Sequence, residues 1–175
     1  MTNKNIIFLI TLAAIILMIT VSGCTQIEKE SPKNGDTVSV YYKGTLDDGS
    51  IFDEKIKGAD EPLTFVLGNN KMIPGFENAI LTMKEGETKT VYLTPDEAYG
   101  EYSDDYIFPV NRSIFPDNYT LIQGNTEYLS GNNGNVFKVT ILNFTDSEVI
   151  LDANNDLAGK NLTFEITLDK IEPFQ

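Results

Sequence analysis

The 175-residue chain has no histidine and one cysteine, Cys24. The first absence excludes imidazole bases, histidine-dependent triads and histidine-ligated zinc. The second excludes an internal disulfide framework, so an exported domain here must be held by its core alone. Basic residues are few, with 13 Lys and Arg against 26 Asp and Glu and a formal charge of −13. From Cys24 onward the charge is −14, because Lys4 is the only charged residue before it. Such a polyanion is a poor partner for nucleic acid or an anionic lipid surface, and simple solubility accounts for most of the acidity. No glycine-rich phosphate loop of the Walker or dinucleotide type is present. "DANNDLAGKNLT" opens like a calcium-binding EF-hand loop, with Asp152, Asn154 and Asp156 at positions 1, 3 and 5. It fails at Leu157, where the turn needs glycine, and at Thr163, where the bidentate glutamate belongs. No metal and no cofactor is expected.

Residues 6–21 are apolar and uncharged. A membrane span needs roughly 20 such residues and a signal-peptide core about 7 to 15. With Lys4 ahead and Ser22-Gly23 behind, residues 1–23 are expected to be an export signal. "VSGC" is similar to a lipobox, in which Cys24 is lipidated and becomes the mature N-terminus. The alternative is an uncleaved anchor helix; both place the remainder outside the cytoplasm. Residues 24–33, with Pro32, read as a tether.

Beyond the tether, "TVSVYY" alternates, with Val38, Val40 and Tyr42 on the core side of a half-buried strand. "LDDGS" supplies an Asp-Gly turn and "IFDE" leads back. In "PLTFVLG", Leu63, Phe65 and Leu67 share a face. "IPGFENAILTMKEGE" is the one convincing helix, with Phe76, Ala79, Ile80 and Met83 on one stripe, Pro74 suiting its first turn, and Lys84 and Gly86 its end. "ETKTVYLTP" and "LTFEITLDKIE" are further strands. The class is α+β, an antiparallel sheet wrapped on one short helix. Residues 34–100 and 157–175 are expected to form this domain.

The stretch between is too long for a structureless loop. "DYIFPV", "YTLIQ", "TEYLS", "NVFKVTILNF" and "SEVILD" carry strand signals, with turns at Gly124-Asn125 and "GNNGN" and a helical turn or 3₁₀ segment at "RSIFPD". Residues 101–156 are therefore expected to be a small inserted β-domain.

What chemistry remains is a reaction that needs neither nucleophile nor base. Rotation about an Xaa-Pro bond meets a barrier of about 18–20 kcal/mol because amide resonance must be lost. An aromatic-walled pocket can lower it by desolvating the amide and favouring its twisted form. At this point the motifs become specific. "VYYKGTLDDGSIFDE", "PLTFVLGNNKMIPGFENAILTMKEGE", "PDEAYG" and "LAGKNLTFEI" resemble, in order, those of FKBP-type peptidyl-prolyl cis-trans isomerases. The long excursion after "AYG" is similar to the insert-in-flap domain of the SlyD-like two-domain subgroup.

The resemblance implies catalytic positions at Tyr42, Asp53 and Tyr99, the last as a flap tyrosine covering the proline. It implies substrate-binding walls at Phe52, Leu63, Phe65, Met72, Ile73, Phe76 and Phe164. Leu63 stands where the family often has an aromatic, Met72 where it has a β-branched residue, and Phe76 where it has tryptophan. The pocket stays apolar, with lower expected affinity for macrolide inhibitors. Without the resemblance, Phe65, Phe76 and Phe164 read as core packing. For the insert, the resemblance implies a chaperone surface drawn from Ile107, Phe108, Val110, Ile114, Phe115, Tyr119, Leu121 and Ile122, with about half of these forming the insert's own core. Nickel delivery by a histidine-rich tail is not implied, since histidine is absent. Sequons stand at Asn111, Asn118, Asn143 and Asn161. The expectation is a monomeric, surface-anchored isomerase with chaperone activity on unfolded or proline-containing polypeptides. The alternative is a holdase or binding module with a vestigial pocket.

Overall fold

The computed structural model describes residues 30–131 and 134–174. The apolar run at residues 6–21 and Cys24, read from the sequence as an export signal and a lipidation site, lie outside the described residues, among which no helix is long and apolar enough to cross a membrane.

Nine strands, one α-helix and three 3₁₀ turns are built from the described residues. They are β1 (Thr37–Leu46), β2 (Ile51–Lys55), β3 (Leu63–Val66), α1 (Pro74–Ile80), β4 (Thr88–Leu93), β5 (Ile107–Asn111), β6 (Thr126–Ser130), β7 (Val136–Phe144), β8 (Glu148–Asp152) and β9 (Leu162–Glu172). β1 is the hub of the first sheet. Its whole length pairs antiparallel with β9, while its opposite edge is shared by β3 at Thr37 to Val40 and by β2 at Tyr42 to Thr45. β4 closes the other side against β9, giving the order β2-β1-β9-β4 with β3 off that path.

The alternating pattern supplies one buried face. Val38 and Val40 of β1 and Leu162, Phe164, Ile166 and Leu168 of β9 are buried, together with Phe65, Leu67 and Leu93. α1 lays Phe76, Ala79 and Ile80 on this face, followed by Met83. Burying each large side chain contributes about 1.5–3 kcal/mol. Pro74 begins the helix as expected, but α1 ends at Ile80, short of Lys84 and Gly86. The Thr82 hydroxyl donates to the Ala79 carbonyl at 2.8 Å, and Met83 N–H bonds the Ile80 carbonyl at 2.9 Å. These three-residue closures tighten the last turn, satisfying helix-end carbonyls while Met83 still reaches the core.

The second sheet has the antiparallel order β5-β8-β7-β6. Its core is separate, built from Phe115, Leu121, Val139, Ile141, Val149 and Leu151. "RSIFPD" contains the 3₁₀ turn Arg112–Ile114, capped by the Asn111 side chain. "YTLIQ" is not a strand. Its Tyr119 N–H turns back to the Pro116 carbonyl, and the Arg112 guanidinium donates to the carbonyls of Phe115 at 3.3 Å and Tyr119 at 2.8 Å. Tyr119 stacks on Phe115 at 5.6 Å and its hydroxyl bonds Glu127. Side chains thus satisfy the carbonyls that a ladder would otherwise engage. The excursion begins and ends at one place, since Gly159 N–H bonds the Gly100 carbonyl at 2.8 Å.

Candidate active site

A cavity of about 500 Å³ opens between the first sheet and the N-terminus of α1. Its interior is an aromatic cluster. Phe164 of β9 meets Phe76 of α1 edge-on at 5.1 Å and Phe52 of β2 edge-on at 5.5 Å. Tyr42 of β1 meets Phe76 edge-on at 5.6 Å and tilts against Phe164 at 6.1 Å. Such pairs add about 0.5–1.5 kcal/mol beyond their burial and fix ring orientations.

Local backbone features aim these side chains. Opposite β1, the pairing passes from Gly44↔Asp53 to Thr45↔Ile51, leaving Phe52 as an extra residue on β2. Neighbours on a regular strand point to opposite faces; a bulge here lets Phe52 and Asp53 line the same cavity. Gly44 makes room for this: a Cβ there would sit 2.5 Å from Phe52 Cζ and 3.1 Å from Phe164 Cε1. Leu63 enters from β3 and Met72, Ile73 and Pro74 from the approach to α1. After β4, Thr94 and Glu97 form a capping box around the 3₁₀ turn Pro95–Glu97, and Gly100, at φ +79°, ends the turn just beyond Tyr99. That turn holds Ala98 and Tyr99 at the rim.

Tyr42 and Asp53 are diagonal neighbours across β1 and β2, and the Tyr42 hydroxyl donates to the Asp53 carboxylate at 2.5 Å. Burial first, then this bond and the Asp53 charge, push the Tyr42 phenol well above the usual tyrosine range. Tyr99 is pushed up by burial and by the Asp53 charge. Both phenols therefore remain protonated donors at neutral pH. With phenols, one carboxylate and apolar walls, the cavity can hold a small ring and offer hydrogen bonds to a carbonyl.

The structure gathers Tyr42, Phe52, Asp53, Leu63, Met72, Ile73, Phe76, Tyr99 and Phe164 around this one cavity. Phe65 is a correction. It is 6% exposed and lies behind Phe76 at a ring distance of 6.3 Å, so it supports the wall without lining it. Lys71, Pro74 and Ala98 also line the cavity and were not foreseen. Adjacency is the one signal for them: Lys71 and Pro74 flank Met72 and Ile73, and Ala98 precedes Tyr99.

The apolar residues of the insert divide. Phe115 and Leu121 are core, at 6% and 8% exposure, so they do not belong to an accessible surface. Phe108, Val110 and Tyr119 pack against that core and Ile107 is half-buried. Ile114 and Ile122 are exposed, joined by Tyr128, Val136, Phe137 and Phe144, which were not foreseen.

An antiparallel sheet on a short helix encloses an aromatic cleft with a phenol–carboxylate pair, a shape and chemistry that fit a compact apolar ring beside a carbonyl. The family model described as FKBP-type peptidyl-prolyl cis-trans isomerase matches residues 28–169, and the chain belongs to that family. Its α+β fold is accordingly FKBP-like. The short-type peptidyl-prolyl cis-trans isomerase of Methanocaldococcus jannaschii is 33% identical over 154 residues, 81% of this chain and 94% of that protein. The FKBP-type isomerase SlyD of Treponema pallidum is 34% identical over 139 residues, 79% and 77% of the two chains. A crystal structure of the three FKBP domains of wheat FKBP73 aligns with 82% of this chain and 41% of its own, at 20% identity and a TM-score of 0.48.

Proposed function

We propose that this cavity isomerises Xaa-Pro bonds in polypeptides, with the proline ring enclosed by Phe52, Phe76 and Phe164 and the preceding carbonyl near Asp53, Tyr42 and Tyr99. The observation that carries the reading is the buried aromatic cluster closed at one side by the Tyr42–Asp53 pair. Enclosure strips water from the amide, and hydrogen-bond donors placed at the rim favour the twisted geometry over the planar one. No proton moves and no bond breaks, which suits a site whose phenols stay protonated.

The inserted sheet is proposed as a chaperone module of the insert-in-flap kind, in which residues 101–156 capture unfolded segments and hold them near the cleft. Exposed Ile114 and Ile122 support this, with Ile107, Phe108 and Val110 at the margin. The uncharged run at residues 6–21 and Cys24 support an extracytoplasmic protein, tethered to the membrane by a lipid. Mass analysis of the mature protein tests that tether, and an unmodified Cys24 would refute it.

The activity is tested by proline-limited refolding of a reporter protein with the chain from Thr25 onward. Catalytic amounts are expected to accelerate the slow phase, whereas an unchanged slow phase at every stoichiometry refutes the isomerase reading. Suppressed aggregation without acceleration would leave a holdase with a vestigial pocket.

A further inference from the structure

A second cavity, of about 530 Å³, adjoins the first. Phe52 and Tyr99 line both, so these two rings are a partition with a hollow on either side. The far wall comes from the inserted sheet, where Phe137 of β7 faces the returning segment that ends at Leu157. Phe137 is 38% exposed, an aromatic ring left half in water at the lip of a concave surface.

Lys138, Asn154 and Asp156, which line this hollow, already have partners. Lys138 pairs with Asp156 across the rim. The Asn154 amide donates to the Ser103 carbonyl at 3.0 Å and to Asp152 at 2.7 Å, and its oxygen accepts from Ser103 N–H at 3.0 Å. A charged or strongly polar ligand would have to displace these partners. Its apolar lining comes from Phe137, Ala153, Leu157 and the rings of Phe52 and Tyr99, beside Asn155 and the exposed Lys138–Asp156 pair.

We infer that this hollow is a subsite for one large apolar side chain of the same polypeptide whose proline occupies the first cavity. The inference rests on the isomerase reading. The shared lining by Phe52 and Tyr99 selects this occupant, because a chain that leaves the proline pocket over these two rings meets the second hollow next. At about 3.3 Å per extended residue, the side chain belongs within a few positions of the proline. Phe137 is then a specificity-determining residue. It touches the substrate away from the reacting bond, acting on KM and leaving kcat unchanged.

The test uses the described chain with its insert intact and a series of single-proline peptides. One phenylalanine is walked from one to four positions away on each side, in an alanine background. At one position wild type is expected to show a kcat/KM about tenfold above the all-alanine peptide, roughly the worth of part-burying one large apolar side chain. Phe137→Ala removes this preference through KM and leaves the all-alanine peptide unaffected, while Val136→Ala, outside the hollow and 63% exposed, retains it. A flat profile in wild type, or a Phe137→Ala loss spread evenly over all peptides, overturns the subsite. Should wild type isomerise none of the peptides, the isomerase reading fails, and dissociation constants for the same series decide the subsite. Tightening at one position that Phe137→Ala abolishes supports it, and uniform binding overturns it.

Discussion

The Tyr42 hydroxyl and the Asp53 carboxylate share a 2.5 Å hydrogen bond across the β1–β2 ladder, beside the aromatic walls of the cavity. A bond to an ionised acceptor is roughly twice as strong as a neutral one, so the two side chains hold each other in one geometry. Tyr42→Phe and Asp53→Ala are each expected to lower kcat/KM on a short proline peptide by about tenfold, close to 1.4 kcal/mol of transition-state stabilisation. The double variant should lose little more than the worse single variant, because groups acting as a unit are not additive. Fully additive losses would show that the pair does not work as one device.

Gly44 is the contact on which the cavity's shape depends. Its missing Cβ is the space into which Phe52 packs, and Gly44→Ala would force that ring outward from a 2.5 Å clash. Overpacking of this kind costs about 1–3 kcal/mol. The expected result is lowered stability in urea together with a fall in kcat/KM. Gly49→Ala is the control: its φ is +81° and nothing lies within 4 Å of the added methyl. It should cost about 1–2 kcal/mol through backbone strain alone and leave kcat/KM unchanged. Equal effects on activity would place the damage in the β1–β2 turn.

Much of this fold is legible in the sequence because one face of each strand is buried. The alternation in β1 and β9 and the stripe of α1 each point to a single partner surface, and Val38, Phe76, Ile166 and Met83 fall where that pattern sets them. The family motifs locate most of the cavity residues. What periodicity cannot carry is a change of register. Phe52 and Asp53 are adjacent and would face opposite ways on a regular strand; only the bulge brings both to one cavity. Phe65 shows the converse, a residue on the correct face that lies one layer too deep. "YTLIQ" has strand composition, but Arg112, seven residues upstream of Tyr119 and outside that segment, engages the Tyr119 carbonyl, which a strand pattern does not reveal.

Asp36 makes part of the fold's stability depend on pH in acid. Only 3% exposed, it accepts from the backbone N–H of Lys33 and of Phe174, each at 3.0 Å, and so ties the two ends of the first sheet together. These bonds, Lys33 first and Phe174 second, hold its carboxyl below the usual aspartate range. A depressed native value means that the unfolded chain takes up the proton first as pH falls. The stabilisation is complete above the unfolded value, about pH 4, and is lost as pH drops through the native one. Asp36→Asn places an amide donor against backbone donors. Urea unfolding from pH 7 to pH 2.5 should show the variant less stable at neutral pH and the gap closing below pH 4. A gap of constant size would mean that the ionised carboxylate contributes nothing.

Gly100 and Gly159 decide whether the inserted sheet can be removed. The 2.8 Å bond between them brings the outgoing and returning chains together, and the two sheets have separate cores. A short flexible bridge can therefore replace residues 101–156 at small entropic cost, since closure entropy depends only weakly on loop length. The links Tyr102 to Asp152, Ser103 to Asn154 and Lys138 to Asp156 near the junction are lost with the insert, but both partners of each go together. The shortened protein is expected to unfold cooperatively and to isomerise a short all-alanine proline peptide within about threefold of the full chain, a difference of roughly 0.7 kcal/mol. Suppression of aggregation and catalysis of proline-limited refolding of a whole protein should both fall by at least about tenfold if the insert holds clients near the cleft as proposed, because a high effective concentration goes with it. Refolding catalysis that survives the deletion unchanged would show that the cleft finds its prolines unaided and that the insert serves another end.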